Sequence, residues 1–223
     1  MNQYQYVPVV QRADALTMNR VLRNTYLLLS LTLLFSAVMA GVSMALNWPH
    51  PGLVITLVGY FGLLFLTTKL RNSAWGLLSV FALTGFMGAT LGPIINIYTQ
   101  AFSNGGQLVM MAMGGTAAIF LGMSFIALTS KRDYSFLAKT LFIGILVAFL
   151  AGLAAYFFNF QPLALAVSAM FVLLMAGLIL FQTQQIVQGG ETNYIMATVT
   201  LFVSIFNLFT SLLHLLGFAF GDD

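Results

Sequence analysis

Long apolar stretches separated by short polar turns dominate the chain. The stretches are continuous and show none of the ten-residue alternating segments that are typical of a transmembrane β-barrel. A helix crosses a hydrocarbon core about 30 Å thick with about 20 apolar residues. The pattern therefore predicts an all-α integral membrane protein with seven transmembrane helices, at residues 26–46, 53–68, 75–98, 108–129, 136–158, 163–187 and 194–220.

Composition agrees with this pattern. The 223 residues are 60% hydrophobic and only 6% charged, whereas an ordinary soluble domain has about 25% charged residues. The chain has no cysteine, which excludes disulfides, thiolate metal sites and cysteine nucleophiles.

The basic residues indicate how the chain is oriented. Seven of the eight Lys and Arg fall before the first predicted span or at the second and fourth connections, and they are Arg12, Arg20, Arg23, Lys69, Arg71, Lys131 and Arg132. Lys139 lies just inside the fifth predicted span, from which its side chain can reach back to the same side. Basic segments stay on the cytoplasmic side of a membrane. We therefore expect residues 1–24 to be a cytoplasmic N-terminal tail, residues 25–223 to be the membrane domain, and the C-terminus to lie outside. The positions of the basic residues are explained by topology, so we do not interpret them as a nucleic-acid-binding surface. We expect the lipid bilayer as a partner and no nucleic acid.

The predicted spans carry no Asp, Glu, Lys or Arg deep in their interior. Proton pumps and cation pathways commonly use such groups, so their absence argues against a proton-coupled transporter and weakens a cation-channel interpretation. The chain also lacks the G-x-S-x-G and H-E-x-x-H motifs and an intramembrane aspartyl pair. We therefore expect a protein without enzymatic activity, cofactor or metal.

The last predicted helix has a polar stripe, formed by Thr200, Ser204, Asn207, Ser211 and His214. The spacing of three and four places these residues on one helix face. Two interpretations stay open, a packing seam between helices and a hydrated cavity or conduction path. We expect His214, a lone histidine, to be a hydrogen-bonded residue rather than a metal ligand.

Two further features concern helix contacts. Gln182 lies about 9 Å before the turn at Gly189 and Gly190, at 1.5 Å per residue, and could hydrogen-bond to the polar stripe. In the third span, Gly88 and Gly92 favour close helix contact, and Pro93, which follows Gly92, is expected to kink the helix.

Several segments resemble the Bax inhibitor family of seven-helix membrane proteins. They are VGYFGLLFLTTK (58–69), TGFMGATLGPI (84–95), ALTSKRDYSFL (127–137) and ETNYIMATVTLFVSIFNLFTSLLHLLGF (191–218). The resemblance extends from Arg20 onward. It is closest to the bacterial branch that includes the modulator of the membrane protease FtsH, particularly at RVLRNTYLLLSLTLLFSA (20–37) and GGETNYI (189–195).

This resemblance implies a bundle in which the other six helices wrap the last one. It also implies a non-enzymatic inner-membrane protein, with its C-terminus in the periplasm, that binds the FtsH protease complex and restrains membrane-protein degradation. The alternative is a passive calcium leak. Many family members carry an aspartate pair that acts as a pH-sensitive latch, and the matching positions here are Gln182 and Ser204. Neither side chain ionises near neutral pH, which disfavours the leak.

Overall fold

The computed structural model describes the backbone of residues 9–130 and 132–222, with side chains from residue 19 onward. Residues 1–8, which begin the predicted tail, lie outside the described residues, as do Lys131 and Asp223. The described residues form seven helices: α1 (Val9–Ala45), α2 (Gly52–Leu70), α3 (Trp75–Ala101), α4 (Gly105–Thr129), α5 (Leu137–Phe157), α6 (Gln161–Val187) and α7 (Tyr194–Phe220).

Each helix matches one predicted span. All seven are long and apolar enough to cross a membrane, so the prediction of an all-α integral membrane protein is confirmed. The largest difference is at α1, which begins at Val9 rather than at residue 26. The sequence from Val9 to Asn24 contains no Gly or Pro to end a helix. The predicted tail is therefore helical from Val9, and its cytoplasmic location stays a prediction.

Hydrogen bonds between connections show that the helices alternate in direction. The α2–α3 and α4–α5 connections are both bonded to residues at the end of α6 or the start of α7. At the opposite end, the Ser103 backbone N–H, after α3, donates to the Asp222 carbonyl, after α7, at 2.9 Å. We call the first end, which carries Lys69, Arg71 and Arg132, the basic end.

The bundle is centred on α7, as the family resemblance implies. This helix packs extensively against α1, α4 and α6, and less against α3. In contrast, α2 packs mainly against α3, and α5 packs mainly against α6. The main apolar core includes Leu83 of α3, Ile179 of α6 and Leu201 of α7, none of which is exposed. The helices α2 and α5 thus form the periphery instead of wrapping α7 closely.

Small residues allow α1 and α3 to approach closely. A Cβ atom on Gly88 would lie 2.3 Å from the Ser36 carbonyl oxygen, and one on Gly92 would lie 2.7 Å from the Ala40 carbonyl oxygen. Real Cβ atoms do not reach such distances without backbone movement. The small-residue spacing predicted from the sequence therefore forms the contact between α3 and α1.

Pro93 lies inside α3 and has no backbone N–H, so it leaves the carbonyl of Ala89 without its usual helical partner. The Ser43 hydroxyl of α1 donates to this carbonyl at 2.7 Å. A neighbouring helix thus provides the hydrogen bond that the proline removes, and α3 continues to Ala101. The proposal that Gly92 and Pro93 form a kink stays a prediction.

We predict that Gly88→Ala destabilises the bundle by about 1–3 kcal/mol, because the added methyl group forces α1 away from α3. Gly114→Ala is the matched control, since a Cβ atom there would meet no atom within 4 Å. Thermal unfolding of the two purified variants in the same detergent measures the difference. Equal melting temperatures would show that the α1–α3 contact adapts without cost.

Candidate functional site

The turn between α6 and α7 begins with a Schellman cap. Gly189 has a φ of 76°, a left-handed conformation that favours glycine. The Gly189 N–H donates to the Ile186 carbonyl at 3.2 Å, and the Gly190 N–H donates to the Gln185 carbonyl at 2.8 Å. The two glycines therefore end α6 and fix the direction in which the chain enters α7.

Gln184, in the last turn of α6, holds the α4–α5 connection. Its side chain is only 1% exposed. The amide oxygen accepts a hydrogen bond from the Tyr134 backbone N–H at 2.8 Å, and the amide nitrogen donates to the Arg132 carbonyl. One uncharged side chain thus satisfies both a donor and an acceptor of a loop that carries basic residues.

Asn193, immediately before α7, attaches the α2–α3 connection by donating hydrogen bonds to it. Its amide nitrogen donates to the Arg71 carbonyl at 3.1 Å and to the Asn72 side-chain oxygen at 2.8 Å. Its side-chain oxygen accepts from the Met196 backbone N–H at 3.0 Å, which is an N-cap of α7. The Glu191 carboxylate accepts from the Asn193 backbone N–H at 2.7 Å.

We call Gln184 and Asn193 together the amide hub. They lie on either side of one turn, and they attach both loops of the basic end to it. An amide can donate and accept at once without carrying a charge, which suits a position at the membrane boundary. The hub bonds to the backbone carbonyls of Arg71 and Arg132. These bonds position the backbone from which the two exposed side chains extend.

Asp133 in the α4–α5 connection is fully exposed, and its hydrogen bonds come from Ser135, two residues further along the chain. Its carboxylate accepts hydrogen bonds from the backbone N–H and from the hydroxyl of Ser135, each at 2.8 Å. Both bonds hold the pKa of Asp133 below its ordinary value, and the bond from the backbone N–H has the larger effect. This carboxylate therefore stays ionised at neutral pH.

The two positions matched to the family's aspartate pair do not bond to each other. The Ser204 hydroxyl donates to the Thr200 carbonyl of its own helix at 2.7 Å. Gln182 is 7% exposed, and its amide nitrogen has no hydrogen-bond partner among the described residues. A hydrogen bond between Gln182 and Ser204 is therefore not part of this structure. Their equivalence to the latch positions stays a prediction.

The polar stripe of α7 divides into separate environments. Ser204 and Ser211 are buried against neighbouring helices, whereas Thr200 and Asn207 line a groove that opens between α2 and α5. The Asn207 amide nitrogen donates to the Val203 carbonyl at 2.8 Å. The choice between a packing seam and a hydrated cavity or conduction path stays open for the stripe.

His214 lies at the opposite end of the bundle from the amide hub. Its Nδ1 atom is 2.7 Å from the hydroxyl oxygen of Ser168 on α6. The Ser168 hydroxyl also donates to the Ala164 carbonyl at 3.0 Å, so the Nδ1–H tautomer of His214 completes the chain of hydrogen bonds. Among the side chains that the structure describes, in residues 19–130 and 132–222, no group of three or more His, Cys, Asp or Glu could hold a metal ion.

The sequence interpretation did not identify Gln184 and Asn193 as anchors. Gln182 drew attention because helical depth placed it opposite the polar stripe. Gln184 lies two residues further on, and its bonds go to a loop that is about 50 residues away in sequence. One feature of the sequence could have indicated their role. Side-chain amides lie on both sides of the α6–α7 turn, and the α2–α3 and α4–α5 connections, which face the same side, carry basic residues.

The fold and the site define a seven-helix membrane protein whose interior is held by neutral amides and hydroxyls. The family model described as inhibitor of apoptosis-promoting Bax1 matches residues 18–221. The chain therefore belongs to the Bax inhibitor family, as the motifs indicated.

Three relatives illustrate the similarity. An uncharacterised protein of Pseudomonas aeruginosa is 50% identical over 223 residues, which is 100% of each chain. The modulator of FtsH protease YccA from Escherichia coli strain K12 is 51% identical over 211 residues, which is 95% of each chain. An uncharacterised membrane protein of Vibrio cholerae is 41% identical over 224 residues, covering 100% of each chain.

Two neighbouring glutamines give a direct test of the amide hub. We predict that Gln184→Met destabilises the protein by about 1–3 kcal/mol, because two hydrogen bonds worth about 0.5–1.5 kcal/mol each are lost. Gln182→Met should be nearly neutral, because it removes an unpaired buried donor.

Thermal unfolding of both variants measures the effect, and hydrogen exchange of the 132–136 backbone locates it. Faster exchange in Gln184→Met alone is the expected result. If Gln182→Met were the more destabilising change, the latch position would hold the bundle instead of the hub.

Proposed function

We propose that this protein is a non-enzymatic modulator that binds the membrane protease FtsH and restrains degradation of membrane proteins. The observation that carries the proposal is the 51% identity, over 95% of each chain, to the relative named modulator of FtsH protease. That relative is named as a modulator and not as a protease. The catalytic motifs that an intramembrane hydrolase needs are also absent from this sequence.

We infer that the protein resides in a bacterial inner membrane. A relative from Escherichia coli strain CFT073, also 51% identical over 95% of each chain, is named inner membrane protein YccA. The distribution of Lys and Arg supports a cytoplasmic basic end, with the N-terminus inside and the C-terminus in the periplasm.

The basic end and the N-terminal segment are the parts of this chain that FtsH would meet from the cytoplasm. Lys69, Arg71 and Arg132 are exposed there. The hydrogen bonds of the amide hub attach the connections that carry Arg71 and Arg132 to the α6–α7 turn. Residues 1–24 are the second candidate contact, because α1 begins at Val9, well before the first predicted span at residue 26.

A calcium leak is the less favoured function. The groove and the polar stripe carry hydroxyls and an amide but no carboxylate. A divalent cation is ordinarily bound by several oxygen ligands that include carboxylates. Calcium flux into liposomes that contain the protein, compared with Asn207→Leu, would reveal a leak if one existed.

The proposed function predicts a physical complex and a change in proteolysis. The tagged full chain should recover FtsH from bacterial membranes, and its overproduction should lengthen the half-life of a membrane-protein substrate of FtsH. Deletion of residues 1–18 tests the N-terminal contact while keeping the membrane-spanning helices. Gln184→Met tests the basic end, with Gln182→Met as its control.

Unchanged substrate turnover, with the protein well expressed in the membrane, would contradict modulation. A second arm tests the absence of catalysis. Liposomes that contain this protein and the substrate, but no FtsH, should leave the substrate intact. Cleavage in that sample would show that the protein is itself a protease.

A further inference from the structure

A groove lies between α2 and α5, and α3, α6 and α7 form its floor. Its volume is about 640 Å³. Its walls are mostly apolar and include Leu57 and Leu64 of α2, Ile145 and Phe149 of α5, and Val203 of α7. Such a space inside a bilayer is filled by something apolar, because water gains few hydrogen bonds there.

The groove opens sideways towards the hydrocarbon of the membrane. Its two walls pack on different neighbours, α2 on α3 and α5 on α6. The aromatic pair Phe61 and Phe149 bridges them, with ring centroids 6.0 Å apart in an edge-to-face arrangement. Phe142 is 72% exposed at the rim. Entry of a molecule from the bilayer therefore requires this ring pair to separate, and it leaves the packing of α2 on α3 and of α5 on α6 intact.

The length of the groove fits one acyl chain. Lining residues on α2 extend from Thr56 to Thr68, which is about 18 Å at 1.5 Å per residue. One leaflet of a hydrocarbon core about 30 Å thick has a similar depth, about 15 Å.

The polar side chains of the wall are compatible with a hydrocarbon occupant. The hydroxyls of Thr56 and Thr68 donate to the carbonyls of Gly52 and Leu64 in their own helix, each at 2.8 Å. These bonds leave the methyl groups free to contact the occupant. Thr200 lies about 9 Å along α7 from its start at Tyr194, close to the depth of lipid ester groups.

At the basic end, each wall is adjacent to an exposed cation. Arg71 follows the lining residue Thr68 by three positions, and Lys139 precedes the lining residue Phe142 by three. Residues three apart share a helix face. Both cations are exposed, and neither α2 nor α5 contains an Asp or Glu. The described acids of the neighbouring connections, Asp133 and Glu191, are outnumbered by the cations Lys69, Arg71, Arg132 and Lys139. The mouth of the groove therefore favours an anion.

We propose that the groove between α2 and α5 binds an anionic phospholipid from the leaflet at the basic end. One acyl chain lies along the apolar walls. The phosphate lies between Arg71 and Lys139, and the Thr200 hydroxyl donates to an ester carbonyl. This site is independent of FtsH, and it would exist whether or not the proposed function is correct.

Native mass spectrometry of the intact protein, reconstituted with equal amounts of phosphatidylglycerol and phosphatidylethanolamine, tests the headgroup preference. The unchanged protein should retain one phosphatidylglycerol. A cation near an anionic lipid surface changes affinity about fivefold, so Arg71→Gln with Lys139→Gln should weaken retention roughly 25-fold at low salt. Arg132→Gln, a basic-end cation on another connection, is the matched control and should retain the lipid.

A second measurement locates the acyl chain. Phosphatidylglycerol with a photoreactive diazirine in its acyl chain should label peptides of α2, α5 and α7 that line the groove, and Val203→Trp should reduce this labelling. Labelling spread evenly over all lipid-facing helices would overturn the proposal. Equal retention by the Arg71/Lys139 variant and by Arg132→Gln would also overturn it, as would capture of another protein's helix in the groove.

Discussion

The constraint on which this structure depends is that hydrocarbon offers no hydrogen-bonding partner to a polar group. Every donor and acceptor inside the bundle is costly unless another part of the protein pairs with it. The chain meets this constraint with uncharged groups. Ser43 pairs with the carbonyl that Pro93 leaves free, and Ser168 pairs with His214. These bonds join α1 to α3 and α6 to α7, so the pairing of polar groups also decides which helices are neighbours.

The same constraint explains why amides matter at the basic end. Loops at a membrane boundary have backbone groups that are only partly reached by water. Gln184 and Asn193 each donate and accept, so one side chain serves several loop atoms without bringing a charge to the membrane. Arg71 and Arg132 use only their backbone carbonyls in these bonds. Their cationic ends remain available to lipids or to another protein.

The sequence predicted the fold well because hydrophobicity decides where a membrane helix can lie. The bounds of α7, residues 194–220, were predicted to the residue. The start of α1 was not predicted, because a helix outside the bilayer has no long apolar run to mark it. The contact at Gly88 could be predicted from local spacing, although the partner helix could not.

The site was less predictable than the fold. Gln184 reaches a loop about 50 residues earlier, so its role depends on how α4, α5 and α6 pack. The groove depends on the lack of close packing between α2 and α5, and no local pattern encodes a gap. The spacing of the polar stripe was visible in the sequence. Which of its residues are buried and which line the groove depends on how the neighbouring helices pack, and the spacing does not show this.

The central claim is that neutral groups, and no ionisable pair, hold the two loops of the basic end in place. The chain has no native cysteine, so spin labels at Ala74→Cys and Phe136→Cys would report the distance between the α2–α3 and α4–α5 connections. Double electron–electron resonance in lipid nanodiscs should give the same distance from about pH 5 to about pH 8, the range in which an interior switch would titrate. A change in distance with a midpoint in that range would contradict the claim.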